Sequence, residues 1–156
     1  MKKYLICLVL TIALSQIAYG QSLNKLMNNL SKVENIETVK IGPFMMTLGK
    51  AFGGVGDIPV ARGVHSMEVY DLSSCNSAVK QKLTDEMEKL KDEDGYETLL
   101  MAKDKGDNVR IMMKKKNNTI SDMVILCMST NDPTIVKFSG EIKQEDLAEL
   151  VQKYDK

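Results

Sequence analysis

The amino-acid sequence predicts an α+β fold, in which a largely antiparallel four-stranded meander carries amphipathic helices packed on it. Residues 96–138 contain four short segments in which apolar and polar residues alternate, separated by turn-forming residues. Apolar residues with a 3.6-residue period then follow at Leu147, Leu150, Val151 and Tyr154. The alternating segments are typical of a β-meander, and the periodic stripe is typical of a helix that closes it.

The turns between these segments predict how the strands pair. Asn117-Asn118 suits a two-residue hairpin turn, Lys105-Gly106 joins the first two segments, and 131–133 joins the last two. The pairs predicted from these turns are Ala102 with Val109, Leu100 with Ile111, Val109 with Leu126, Arg110 with Ile125, Ile111 with Val124, Met112 with Met123, Met128 with Val136, and Leu126 with Phe138.

Directly opposed residues share a face, so this register sorts the meander into two sides. One side is the predicted core beneath the closing helix, and it collects Leu100, Ala102, Val109, Ile111, Met113, Val124, Leu126, Met128, Val136 and Phe138. The other side has an apolar centre and a charged rim, which is typical of an interaction surface. Its candidate partner-binding residues are Leu99, Met101, Arg110, Met112, Met123 and Ile125. The alternative is that the N-terminal helix or the helix from Pro43 to Phe52 covers this side as a second core layer.

The N-terminus has the pattern of a cleaved export signal. Lys2 and Lys3 precede a mostly apolar run over 4–17, and small residues at 18 and 20 favour cleavage after Gly20. The predicted organisation is therefore a signal peptide over 1–20 and a single α+β domain over 21–156. Cys7 lies too early in the run to accept a lipid at the predicted cut. We expect a periplasmic protein that is soluble after cleavage, without membrane insertion.

Four further elements precede the meander. Apolar stripes predict an N-terminal helix over 23–33 that packs against the domain, with contact to a partner as the alternative. A second stripe at Val79, Leu83, Met87 and Leu90 predicts a helix that ends near Asp94-Gly95. Extended segments are predicted at 36–41 and 64–72. Between them, Pro43 is suited to the first turn of a helix over 43–52, with Phe44, Leu48, Ala51 and Phe52 facing inward. A glycine-rich stretch from Gly53 to Pro59 predicts a mobile connector.

Charge and cysteine content exclude some classes of partner. The chain has 21 basic and 21 acidic residues, and removal of Lys2 and Lys3 leaves 21 − 2 = 19 basic residues. A domain of this near-neutral charge has no basic field for nucleic acid. Cys75 and Cys127 remain after cleavage, and either a disulfide bridge between them or a buried Cys127 thiol is compatible with the sequence.

The patterns expected of an enzyme or a metalloprotein are missing from the sequence. His65 is the single histidine, and the two mature cysteines do not have the spacing of zinc ligands. The Gly53–Pro59 stretch lacks the Gly-Lys-Ser/Thr ending of a phosphate-binding loop. We therefore expect a protein that is not an enzyme and that uses no cofactor and no metal.

The segments at 96–100, 109–114 and 136–142, followed by Leu147, Leu150 and Val151, resemble the family known as Domain of Unknown Function 4252. This resemblance implies a small exported protein of the Gram-negative envelope, often encoded near sigma factors that answer envelope signals. It implies no catalytic residue. Many relatives look like lipoproteins, and this chain differs from them because it lacks the lipid-accepting cysteine.

The predicted function is a non-catalytic periplasmic protein-interaction module in envelope sensing. Its partner is expected to be another protein, with a homodimer left open. The alternative is a small-ligand carrier or an unrecognised enzyme with a pocket near the Gly53 to Pro59 loop.

Overall fold

A computed structural model of the protein describes residues 22–52 and 59–154. In chain order the elements are α1 (Leu23–Leu30), β1 (Glu37–Ile41), α2 (Pro43–Phe52), α3 (Pro59–Arg62), β2 (Val64–Asp71), α4 (Ser77–Glu88), β3 (Tyr96–Asp104), β4 (Asp107–Lys116), β5 (Thr119–Met128), β6 (Thr134–Lys143) and α5 (Gln144–Tyr154). The predicted α+β class is confirmed. The predicted leader over 1–20 and residues 53–58 of the predicted connector lie outside the described residues. The side chain of Pro59 lies outside them too.

The sheet has six strands in the order β1-β2-β6-β5-β4-β3, and every neighbouring pair is antiparallel. The predicted four-stranded sheet is therefore incomplete. The meander is present as β3 to β6, and β2 pairs with the outer side of β6, where Val69 lies opposite Val136. This pairing brings β1 into the same sheet, because β1 forms a ladder with β2.

The first face of the sheet, defined by Met112, Val124, Leu126 and Ile135, packs against α1 and α4 in the larger core cluster. All four of these side chains are fully buried. In α1 the residues Leu23, Leu26 and Leu30 point into this core, which confirms that the N-terminal helix packs against the domain. The side-chain oxygen of Ser22 accepts a hydrogen bond from the backbone N–H of Lys25 and caps the helix.

The second face, defined by Ile111, Met113, Met123 and Phe138, carries a smaller core beneath α2, α3 and α5. Leu147 of α5 packs there, as expected for the closing helix, while the side chains of Leu150, Val151 and Tyr154 lie outside the described part. In α2, however, Phe44 is 75% exposed and Ala51 is also exposed, so their predicted inward orientation is wrong. Met46 packs inward instead. The side chains of Leu48 and Phe52 are not among those described.

Two β-bulges account for most differences between the predicted and observed registers. The Asn117-Asn118 turn is confirmed, because Lys116 pairs with Thr119 and Asn117 adopts φ 58°. Beyond Lys115, however, the ladder skips Ser121, so Lys114 lies opposite Asp122. All predicted pairs farther along β4 and β5 are consequently wrong by one residue.

The other two pairings of the meander also differ from prediction, one through a bulge and one through the position of its turn. Between β3 and β4 the predicted pairs Ala102 with Val109 and Leu100 with Ile111 are confirmed, but Leu99 is an extra residue beyond them. Between β5 and β6, Leu126 lies opposite Ile135 instead of Phe138, a shift of three residues. An odd shift moves side chains to the opposite face of a strand. Val124, Leu126 and Met128 therefore face α1 and α4, away from the other residues of the predicted core side.

Candidate functional site: an open apolar half of the sheet

A continuous row of apolar side chains crosses the second face of the sheet. Each member lies directly opposite the next on the neighbouring strand. From one edge to the other, this central row consists of Val39, Val69, Val136, Ile125, Ile111 and Leu100. Aligned β-branched residues stabilise a sheet through their cross-strand contacts. The same alignment also produces a flat apolar surface wherever no helix covers it.

None of the six side chains in the central row is buried. Val39 is 55% exposed and Leu100 is 50% exposed, and the four between them are partly exposed. The helices α2, α3 and α5 instead cover the adjacent row toward the other end of the strands, where Met113 and Met123 are buried. The covered row is Ile41, Met67, Phe138, Met123 and Met113. The helices of this face thus bury Met113 and Met123 and reach the edge of the central row, where Ile111 packs against the smaller core and Ile125 lines the space beneath the helices.

The uncovered half extends one row beyond the central row. That next row contains Cys127, Val109 and Ala102, and together with the central row these three residues form what we call the open half. Ala102 is exposed, and Cys127 and Val109 are partly exposed. Contiguous exposed apolar surface of this kind marks interaction sites in soluble proteins.

Acidic side chains lie at the end of the sheet that the open half reaches. Glu37 and Asp71 are paired on β1 and β2, and Asp104 and Asp107 are paired on β3 and β4. Asp71 accepts hydrogen bonds from the hydroxyl of Ser73 at 2.6 Å and from its backbone N–H at 2.9 Å. These bonds hold the pKa of Asp71 below its usual range, so its charge is present at neutral pH. The open half is therefore an apolar surface with four carboxylates at one end, where Lys80 lies near Asp71 and Lys105 lies in the turn between Asp104 and Asp107.

The six predicted partner-binding residues do not lie on one face. Met112 is fully buried on the first face, and Met123 is 5% exposed beneath the helices of the second face. Ile125 alone belongs to the central row. Met101 is 50% exposed on the first face, where it lies opposite Arg110. The bulges at Ser121 and Leu99 cause this separation, because each changes the side to which the following side chains point.

Leu99 occupies a groove on the second face, on the side of α5 that faces β3 and β4. This groove has a volume of about 450 Å³ and is lined also by Met113, Lys115, Ile120 and Leu147. Leu99 is 42% exposed. Leu99 is therefore accessible, but it lies in this groove and not on one surface with the other predicted partner-binding residues.

Arg110 is a buried structural residue and does not lie on an exposed rim. It is 5% exposed, and its guanidinium donates to the hydroxyl of Thr98 at 2.8 and 3.1 Å and to the carbonyl oxygen of Met87 at 3.3 Å. It also pairs with Asp92 at 3.3 Å. The pKa of the Asp92 carboxyl is lowered mainly by hydrogen bonding from Thr98, and Arg110 contributes further. The cation thus ties β4 to β3 and to the end of α4.

The described residues contain no group of three His, Cys, Asp or Glu side chains placed to hold a metal ion. Within 22–52 and 59–154, no helix has the length and apolar character needed to cross a membrane. Cys75 is a free thiol buried in the core of the first face, and Cys127 is a free, partly exposed thiol on the second face. Burial raises the pKa of both thiols. Of the two alternatives for Cys127, the structure has the unbridged thiol.

The chain also matches a known protein family. The model of the family described as Domain of unknown function (DUF4252) matches residues 21–150. The chain belongs to the DUF4252 family. No curated protein and no solved structure matches the chain. Membership of the DUF4252 family assigns no activity, so the function has to be argued from the surface itself.

Sequence reasoning missed the contributions of β1 and β2 to this surface. Val39 and Val69 both sit in predicted extended segments, and each lies at the middle of an alternating pattern. That alternation is the signal that could have assigned them to a sheet face. It does not reveal the partner strand, because β2 and β6 are far apart in the sequence.

Proposed function

We propose that this DUF4252 domain is a non-catalytic binding module of the bacterial envelope that docks a partner protein on its open half. The observation that carries the proposal is the central row, six aligned apolar side chains of which none is buried. Apolar surface exposed to water is unfavourable by roughly 25 cal/mol per Å², and a partner that covers it removes this cost. A bound partner would cover the part of the second face that α2, α3 and α5 leave exposed.

The charge at the end of the open half defines the chemistry of the partner. Glu37, Asp71, Asp104 and Asp107 would attract basic residues and repel anionic lipid headgroups. The docking segment is therefore a protein segment with several apolar side chains and with Lys or Arg at one end. A second copy of the chain would place its own acidic end against the first one, and the two would repel. It fits less well, unless the two copies pack with their acidic ends at opposite sides of the interface.

Two neighbouring residues on β3 allow a matched test. Leu100 and Met101 are each 50% exposed, but Leu100 belongs to the open half and Met101 lies on the opposite face. We expect Leu100→Lys to abolish partner capture and Met101→Lys to leave it intact. Both substitutions should keep the free energy of unfolding within about 0.5 kcal/mol of the wild type, because both side chains are half exposed on an edge strand.

The measurement is quantitative pull-down from envelope extract with the immobilised domain over 21–156 in its three forms. Proteins retained by the wild type and Met101→Lys but lost with Leu100→Lys identify the partner. Sedimentation of the purified domain runs alongside, and a dimer that only Leu100→Lys dissociates would make the partner a second copy. Equal capture by all three forms would refute docking on the open half.

We further propose that the domain acts in the periplasm after removal of a leader. Lys2 and Lys3, the apolar run and the small residues before Gln21 support this proposal. The intact mass of the exported protein should correspond to a chain that begins at Gln21 and carries no lipid. A mass that includes residues 1–20, or an added acyl group, would contradict it.

A further inference from the structure

A second apolar feature lies next to the open half but beneath the helices. It is a cavity of about 470 Å³ between the second face of the sheet and α2, α3 and α5. Its floor includes Ile41, Met67, Phe138 and Met123, which are neighbours on four adjacent strands, together with Val64 and with Ile125 of the central row. Its roof includes Met46 and Gly49 of α2, Val60 and Ala61 of α3, and Leu147 of α5.

The size of this cavity is that of a ligand site. Pockets that bind small molecules measure roughly 300–1,000 Å³, whereas packed interiors contain few voids larger than a water molecule. Neighbouring strands lie about 4.8 Å apart, so a floor that crosses four strands is about 14 Å long. A volume of about 470 Å³ over a floor of that length leaves room for one hydrocarbon chain laid across the strands.

The chemistry of the lining is uniformly apolar. No charged side chain lines the cavity among the described residues. The nearby ammonium of Lys50 does not supply a charge, because it donates to the carbonyl oxygens of Arg62 at 3.1 Å and Val64 at 2.6 Å. Four of the lining residues are methionines, whose flexible side chains adapt to irregular ligands.

We infer that this cavity binds a single linear hydrocarbon chain, such as the acyl or alkyl part of an amphiphile. A space lined only by apolar side chains rejects polar groups, since burying them unpaired is costly. The polar head of such a ligand would remain outside, at the mouth where Met45 lines the cavity and is 60% exposed. Ile125 lines this cavity and also belongs to the open half, so the two sites adjoin, and the variants described below separate them.

The test uses 11-(dansylamino)undecanoic acid as a fluorescent chain on the purified domain. We expect saturable binding that dodecanol displaces, and displacement by hexanol at least about tenfold weaker, because each buried methylene adds affinity. Vesicles of phosphatidylethanolamine and phosphatidylglycerol form a second arm. Displacement by vesicles as well assigns the chain to a membrane lipid, and displacement by dodecanol alone assigns it to a free amphiphile. Displacement by neither, or better displacement by naphthalene than by dodecanol, overturns the inference.

Variants locate the site. Ala61→Phe and Gly49→Leu add side-chain volume at two different parts of the roof and should each weaken binding about tenfold or more. Gly49→Leu keeps the test valid if Ala61→Phe does not fold, because no heavy atom lies within 4 Å of a Cβ built at Gly49. Ala102→Phe is the control, since Ala102 lies in the open half outside the cavity, and its affinity should stay within about twofold of the wild type. Wild-type affinity for the fluorescent chain in both roof variants, or a loss confined to Ala102→Phe, would refute the cavity as the binding site. Protein docking on the open half is tested separately by the pull-down.

Discussion

Replacing Met112 with glutamate is expected to unfold the domain at room temperature. Met112 has no exposed surface and lies in the core of the first face, beneath α1 and α4. A carboxylate at this position would lose its hydration without gaining a partner, at a cost of several kcal/mol. A natural domain has a total stability of about 5–15 kcal/mol, so a single change of this size removes most of it.

Met101→Glu is the matched control for this substitution. Met101 lies on the same face of the sheet, but at the edge strand β3, where it is 50% exposed. Its free energy of unfolding should change by no more than about 0.5 kcal/mol in urea denaturation. If Met112→Glu is as stable as Met101→Glu, the helices do not cover the first face and the register without bulges is the right one.

The contrast between these two methionines shows where prediction from sequence stops. The turn at Asn117-Asn118 was predicted because turn residues act locally, and the observed pair Lys116 with Thr119 follows from it. The extra residues Ser121 and Leu99 have no such local signal, since neither is a glycine or a proline. A strand has a side-chain period of two, so one unrecognised bulge exchanges its two faces. Met112 was therefore proposed as a candidate binding residue on the side opposite Leu126, and Leu126 was assigned to the core beneath the closing helix.

The same limit applies to the arrangement of the sheet and of α2. The strands β1 and β2 were predicted as extended segments, but β2 pairs with β6, and pairing between such distant segments depends on the whole core. In α2 the helix bounds were predicted correctly from Pro43, whereas Phe44 is 75% exposed. Apolar residues occur around most of this helix, so its pattern does not single out the buried side.

Substitution of Arg110 by alanine is expected to lower the free energy of unfolding by about 3 kcal/mol, and not to act through partner binding. The change leaves the Met87 carbonyl oxygen without its buried donor and removes a packed aliphatic stem. Arg110→Met keeps most of the stem and should therefore lose less. Asp92 is half exposed, so its pairing with Arg110 makes only a small part of the loss. An Arg110→Ala domain of unchanged stability that no longer captures its partner would instead make Arg110 an interaction residue.

The dependence on pH provides a second readout of this network. The pKa of Asp92 is lowered in the folded state, first by hydrogen bonding from Thr98 and then by Arg110. A lowered folded pKa means that Asp92 stabilises the fold above its unfolded pKa of about 3.9 and that this contribution is lost as the pH falls through the folded value. The wild-type domain should lose unfolding free energy between neutral pH and pH 3. We expect that loss to shrink more in Thr98→Val than in Arg110→Ala, because Thr98 is the larger cause of the lowered Asp92 pKa. Urea denaturation of both variants between neutral pH and pH 3 measures the difference. A larger reduction in Arg110→Ala would show that the charge, and not the hydroxyl, holds the Asp92 carboxylate ionised.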